Sequence, residues 1–186
     1  MRHAQSKALL AYWRARRFGG AAPQRADIEP QDISELLGNI FILKRIDPGH
    51  HTFRLAGTNM CAIYQREFRD QNFLSLFLGH DKTHIQALLE SVLGGVSPAS
   101  ITARATSLDM NQLPVEISFL PLRGPEGQVD RILGLYQPLD DAINFKNRPV
   151  IRTSLREIRP PAVPGHLFTM KPDWAEIFDQ SIANDR

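Results

Sequence analysis

Cysteine is almost absent from this sequence: among 186 residues, only Cys61 carries a thiol. A single cysteine cannot form a disulfide within the chain, and it excludes a four-cysteine zinc site. Such cysteine usage is typical of proteins from reducing, intracellular compartments. No histidine or lysine adjoins Cys61 to lower the pKa of its thiol, so we expect a small apolar side chain rather than a nucleophile.

Long apolar runs are also missing. No stretch approaches the roughly 18 consecutive apolar residues that a membrane-spanning helix needs. The apolar run at residues 9–13 is too short for the core of a signal peptide, and arginines follow it at once. We therefore expect a cytoplasmic protein without a membrane span.

Neither charge sign dominates the composition. The sequence has 22 basic and 20 acidic residues, for a formal net charge of +2, which is too balanced to favour nucleic acid as a partner. The basic residues nevertheless form one group near each end of the chain: Arg2, Lys7, Arg14, Arg16 and Arg17, and then Lys146, Arg148, Arg152, Arg156 and Arg159. Solvated surface is the simpler interpretation, and a nucleic-acid-associated regulator that uses both groups is the alternative.

Recognisable catalytic motifs are absent too. The sequence contains no glycine-rich phosphate loop, nucleophile elbow, metalloprotease helix or kinase motif set. We therefore expect no enzymatic activity. A small enzyme with an unfamiliar site is the alternative, and it would require titratable groups with shifted pKa values that converge in a cleft.

What the sequence does contain is regular hydrophobic periodicity. Residues 5–18 are predicted to form a helix with one apolar stripe, which ends at a pair of glycines. Further helices are predicted at residues 32–37, 59–64, 72–78 and 81–93. Strands are predicted at residues 39–46, 51–56, 99–108, 113–122 and 129–138.

This order predicts an α+β fold, in which helices cover one face of an antiparallel five-stranded sheet. We divide the chain into an N-terminal amphipathic helix (1–22), a globular domain (23–140) and a proline-rich tail (141–186). Residues 173–178 of the tail are compatible with a short amphipathic helix.

Local sequences support a family resemblance beyond the order of elements. FRLAGT at residues 53–58 and YQREF at residues 64–68 resemble the second strand and the following turn of PAS domains, with Gln65 in place of a common glycine. YWRARR at residues 12–17 and the segment 23–43 resemble a family of small stand-alone bacterial PAS proteins. The resemblance implies a PAS fold and a sensor or interaction domain in signal transduction or regulation. With no output domain recognisable, such a domain would act through a partner protein.

PAS domains usually enclose a small cavity between the sheet and its helices. The alternation of the strands and the period of the long helix point one set of apolar side chains toward that space. The candidate pocket residues are Phe73, Leu76, Phe77, Ile85, Leu88, Leu89, Ile101, Ala103, Val115, Ile117 and Phe119. Either these residues fill a core, or they line a cavity for a small hydrophobic or metabolite ligand.

Histidines offer the remaining candidates for chemistry. His80 and His84 lie four residues apart, and the resemblance implies that His84 could be the axial ligand of a haem-binding PAS sensor. The simpler interpretation is a solvated helix start, and we expect no metal and no cofactor. His50 and His51 flank a hairpin turn, and we expect both to be exposed.

The N-terminal helix would leave an apolar stripe of Leu9, Leu10 and Trp13 unpaired if it stood alone. We expect this stripe to pack on the sheet or to form a homodimer, since such helices often mediate dimers in PAS proteins. The state of a ligand or partner would then bias how the helix packs.

Overall fold

Six antiparallel strands form one sheet in the computed structural model, which describes residues 1–140 and 148–160. The strands are β1 (Ile40–Asp47), β2 (His50–Ala56), β3 (Ala99–Ser107), β4 (Gln112–Arg123), β5 (Val129–Pro138) and β6 (Val150–Arg159). The α-helices are α1 (Ala4–Ala15), α2 (Thr58–Tyr64) and α3 (Gly79–Gly94). Three 3-10 helices lie at Arg25–Asp27, Pro30–Asn39 and Phe73–Leu76.

The sheet has the strand order β2-β1-β5-β4-β3-β6, which places β4 and β5 near its middle. Because successive residues of a strand point to opposite faces, the inner strands β1, β4 and β5 each contribute to two separate apolar layers. We call the face that packs against α2 and α3 the inner face, and the face that packs against α1 the outer face.

The inner layer forms because α3 is amphipathic. Its apolar residues Ile85, Leu88 and Leu89 recur at spacings of three and four, so they share one side of the helix and are buried. Helix α2 and the 3-10 helix Phe73–Leu76 add further buried apolar side chains to the same layer.

The outer layer is smaller and is built around α1. Leu9 and Trp13, four residues apart, are buried against Leu120 and Leu133 of the sheet. The indole Nε1 of Trp13 donates a hydrogen bond of 2.7 Å to the backbone oxygen of Pro121, so the polar atom of this side chain has a partner. The 3-10 helix Pro30–Asn39 packs on the same face.

A glycine in β5 permits a close contact on the inner face. Gly134 lies opposite Phe41 of β1 and opposite Phe119 of β4. A Cβ atom at Gly134 would lie 1.9 Å from Cζ of Phe41, so the ring of Phe41 lies directly over the glycine.

The α+β fold predicted from the sequence, with helices packed on one antiparallel sheet, is confirmed. The structure differs in its strand count, because β6 lies in the segment that we assigned to the tail and pairs with β3 from Ser100 to Ser107. It also places the N-terminal helix on the face of the sheet opposite α2 and α3. Lys146 and residues 173–178 lie outside the described residues. Within residues 1–140 and 148–160, no helix is long and apolar enough to cross a membrane.

Candidate functional site: an aromatic core linked to the N-terminal helix

All eleven candidate pocket residues fall in one buried cluster of the inner layer. The least buried of them are Leu76 and Leu88, which are still only 4% and 5% exposed. The sequence-based assignment of these residues to one face therefore matches their positions in the structure.

Aromatic rings occupy the middle of this cluster. Phe41 stacks on Phe73 with ring centroids 5.4 Å apart, and Phe119 meets Phe73 edge-on at 5.7 Å. Phe53 extends the group from β2, with its ring centroid 5.9 Å from that of Phe41. Sequence reasoning omitted Phe41 and Phe53, although both lie at inward positions of their strands.

One end of the core contains three buried hydroxyl groups. The Tyr64 hydroxyl lies 2.7 Å from Oγ1 of Thr153 and 3.4 Å from the Tyr136 hydroxyl. Burial raises the pKa of both tyrosines, so both phenols are neutral at physiological pH. Small side chains of β3, Ala103 and Ala105, belong to the same buried cluster and pair with Leu155 and Thr153 of β6. This hydroxyl cluster supplies hydrogen-bonding groups inside a layer that is otherwise apolar.

Strand β6 closes this end of the core. Thr153 belongs to β6, and Asp81 at the start of α3 accepts a hydrogen bond of 2.9 Å from the backbone N–H of Leu155. The hydroxyl cluster and Asp81 therefore attach β6 to both α2 and α3, in addition to its pairing with β3. This role was not predictable from the sequence, because β6 is half polar and follows a proline.

On the outer face, a buried carboxylate holds the start of α1. Glu116 of β4 is 1% exposed, and it accepts hydrogen bonds from the backbone N–H groups of Arg2 (2.7 Å) and His3 (3.3 Å). Burial alone would raise the pKa of Glu116, but the neighbouring hydroxyl of Ser6, the hydrogen bonds from Arg2 and His3, and the N-terminal ammonium lower it overall. A carboxylate at this position also interacts favourably with the positive end of the helix dipole of α1.

Strand β4 connects the two layers. Val115, Ile117 and Phe119 face the inner core, whereas Glu116 and Leu120 face α1. A shift of β4 caused by a change in the core must therefore also move the groups that anchor α1.

The predicted apolar stripe of α1 is divided between core and surface. Leu9 and Trp13 are buried on the chain's own sheet, and Leu10 is only partly buried. Packing on the sheet, one of the two outcomes expected for this stripe, thus accounts for Leu9 and Trp13.

A second polar cluster joins the β1–β2 hairpin to α3. Glu90 of α3 accepts a two-fold hydrogen bond from Arg45, with its shortest distance 2.8 Å, and lies 3.1 Å from Nε2 of His51. Our expectation that His51 is exposed is wrong, because α3 covers it completely, whereas His50 is exposed as expected. Burial lowers the pKa of His51, although Glu90 partly opposes this effect.

The other sequence candidates lie apart from the core. His80 and His84 are both exposed on α3, so neither imidazole faces the cluster that contains Ile85. Cys61 is partly buried, and both burial and the nearby Glu67 raise the pKa of its thiol, which disfavours the reactive thiolate.

Comparisons with known proteins agree with this architecture. Residues 1–137 match the family described as "PAS domain". No curated protein matches the chain.

Similar solved structures are light-oxygen-voltage (LOV) domains. One, described in work on a flavin analogue and the LOV mechanism, is 12% identical with a TM-score of 0.47, over 84% of this chain and 94% of its own. The dark-state LOV domain of the blue-light photoreceptor Aureochrome1 is 11% identical with a TM-score of 0.45, over 60% of this chain and 82% of its own. A LOV protein from Rhodobacter sphaeroides is 12% identical with a TM-score of 0.46, over 63% of this chain and 72% of its own. Identities and TM-scores this low indicate nothing about ligand or activity.

Proposed function

This chain belongs to the PAS domain family, and from that membership we propose that it is a non-enzymatic, cytoplasmic sensor domain in signal transduction or regulation. It binds a small hydrophobic or metabolite ligand in the inner layer and acts through a partner protein. The observation that carries this proposal is the alternation of β4 between the candidate ligand core and the groups that anchor α1.

The hydroxyl cluster is the proposed polar end of the ligand site. Buried hydroxyls of Tyr64, Tyr136 and Thr153 supply hydrogen bonds that orient a ligand, while the surrounding apolar side chains supply most of the contact area. A ligand that hydrogen-bonds to Tyr64 competes with Thr153 for the same hydroxyl group. Ligand binding therefore changes how β6 is held as well as how β4 is packed.

The proposed output is a change in the packing of α1. The ligand shifts the equilibrium between two arrangements by its difference in affinity for them, and the partner protein binds one arrangement better than the other. Glu116 transmits the change most directly, because its neighbours in β4 lie in the core and its carboxylate holds the helix start.

Native mass spectrometry of the purified protein, recorded beside its ultraviolet–visible spectrum, tests the ligand. We expect a bound small molecule in the wild type, and its loss in Tyr64→Phe, which keeps the ring but removes the hydroxyl. Tyr12→Phe is the matched control, because the hydroxyl of Tyr12 lies on α1 at the surface. A ligand-free mass with a featureless spectrum would contradict the proposed ligand and would indicate a domain that acts through protein interactions alone.

The same mass spectra report the oligomeric state. A homodimer, expected for a PAS protein of this kind, doubles the mass of the 21.0 kDa chain. Hydrogen exchange with and without the bound molecule then tests the coupling. We expect the amides of α1 to change their protection when the molecule binds, although α1 lies on the face opposite the proposed site. Unchanged exchange in α1 would refute this route of signal output.

A further inference from the structure

One arginine from each basic group of the sequence, Arg14 and Arg159, lines a cleft on the outer side of the fold. Strand β6 pairs with β3, and α1 lies across the neighbouring part of the sheet, so residues from both ends of the described chain come together. The cleft has a volume of about 200 Å³. It is lined by Met1, Leu10, Arg14, Ser97, Pro98, Ala99, Ser100, Arg159 and Pro160.

Positive charge dominates this cleft. Arg14 projects from α1 and is exposed, and within the described residues its guanidinium has no hydrogen-bonding or ionic partner. Arg159 faces the cleft from β6, and no carboxylate is among the described lining residues. Outside the lining, Glu157 accepts a two-fold hydrogen bond from Arg159 at 3.0 Å and also lies 3.6 Å from Arg2. Glu157 is therefore shared by Arg159 and Arg2.

We propose that this cleft binds a small phosphate monoester, with the phosphoryl group between Arg14 and Arg159. A guanidinium presents a planar fork of N–H donors that matches two phosphoryl oxygens, and two forks from different elements match a doubly charged group with three terminal oxygens. A phosphate monoester carries a charge of about −1.5 to −2 at pH 7, whereas a carboxylate carries only about −1. The charge of the cleft thus fits a monoester better than a carboxylate.

The apolar walls suit the organic part of such a ligand. Leu10 and Pro98 lie beside the arginines, so a short substituent on the phosphate contacts them while the rest extends through the open mouth. The volume is below the roughly 300–1,000 Å³ of sites that enclose a drug-sized ligand. A phosphoryl group with a short substituent fits, and a whole cofactor does not. Because Arg14 is on α1 and Arg159 on β6, the ligand also links the N-terminal helix to the last described strand.

Nuclear magnetic resonance titrations of the full chain test the proposal. The probes are inorganic phosphate, adenosine monophosphate, adenosine as the uncharged control, and a single-stranded oligonucleotide without a terminal phosphate. We expect saturable shifts of the Ser97, Ala99 and Ser100 amide signals with both phosphates and none with adenosine. Arg14→Gln and Arg159→Gln should each weaken binding by about tenfold or more, the usual scale for a lost charge-assisted hydrogen bond.

Two further variants separate a built site from general charge. Arg69→Gln removes the same charge from a side chain that is 79% exposed and outside the cleft, and it should leave phosphate affinity unchanged. Glu157→Gln removes the carboxylate that competes for Arg159, and it should tighten phosphate binding.

Three results would overturn the proposal. The first is the absence of saturable shifts at millimolar phosphate. The second is an equal loss of affinity in Arg69→Gln and Arg14→Gln, which would indicate a diffuse charge effect. The third is binding of the oligonucleotide as strongly as the monophosphate with steep salt dependence, which would indicate a nucleic-acid surface instead.

Discussion

Replacement of Gly134 by alanine should destabilise the protein strongly, although alanine is the smallest side chain that can be added. The new Cβ would lie 1.9 Å from Cζ and 2.1 Å from Cε2 of Phe41, far inside van der Waals contact. The backbone of β5 is fixed by pairing with β1 and β4 on both sides, so the ring of Phe41 must move instead.

The cost of this movement can be worked out from the contacts of Phe41. Overpacking of a core by one methyl group typically costs about 1–3 kcal/mol. The ring also contacts Phe53, Phe73 and Phe119, and each aromatic contact that is lost adds about 0.5–1.5 kcal/mol. We therefore expect a loss of about 3 kcal/mol, which lowers the Tm of a chain of this size by about 6–12 °C.

Urea denaturation of a double-mutant cycle measures the effect. Phe41→Ala alone should cost about 3–5 kcal/mol, but in that background Gly134→Ala should be nearly neutral, because the clashing ring is gone. Gly94→Ala is the matched control: no atom lies within 4 Å of its added Cβ, and in a helix alanine should stabilise by at most about 1 kcal/mol. An equal cost of Gly134→Ala in both backgrounds would refute the assigned contact.

Three other predictions concern the polar anchors and the helix. Glu116→Gln should lower the free energy of unfolding, measured by urea denaturation, by about 1–2 kcal/mol. The reason is that a neutral amide interacts less favourably than a carboxylate with the N–H groups and the helix dipole at the start of α1. The pKa of Glu116 is lowered in the folded protein, so the carboxylate contributes its whole stabilisation above the ordinary pKa of 4.5. The difference in free energy of unfolding between wild type and Glu116→Gln should therefore shrink as pH falls below 4.5, and a constant difference would contradict this. The pKa of His51 is also lowered, so wild-type stability should fall as pH drops below the ordinary 6.5, since the unfolded chain takes up the proton first. His51→Gln should flatten that slope, and an unchanged slope in this variant would contradict the assignment. Trp13→Ala should lower the Tm by removing a buried ring and its bond to Pro121, and unchanged Tm and native mass would rule out its role in docking α1.

The candidate core was predictable because it depends on local periodicity. Alternation along β3 and β4 placed Ile101 and Ile117 on one face, and the helical period of α3 placed Ile85 opposite them. These patterns extend over segments of about ten residues, so they can be recognised without knowing which strands pair. The same reasoning succeeded for Leu9 and Trp13, whose stripe had to be buried on some surface.

The polar sites were not predictable because their partners are distant in the sequence. His51 looks like an exposed turn residue until α3 brings Glu90 over it. Glu116 interrupts an apolar strand and would normally mark a solvated face, but the start of α1, more than 110 residues earlier, covers it. Strand β6 has a half-polar pattern because it is an edge strand, and its register depends on β3 about fifty residues away.

Strand β6 lies beyond the part of the chain that matches the family. The family match ends at residue 137, yet β6 supplies Thr153 to the hydroxyl cluster and Arg159 to the basic cleft. The two faces of one edge strand therefore contribute to both proposed ligand sites, one inside the PAS core and one beside α1. An edge strand is held by pairing on one side only, and it can separate at lower cost than β4 or β5. A ligand that replaces Thr153 at Tyr64 weakens the hold on β6, whereas a phosphate between Arg14 and Arg159 strengthens it. If both proposals hold, the two ligands should antagonise each other, and each should lower the affinity for the other by the same factor.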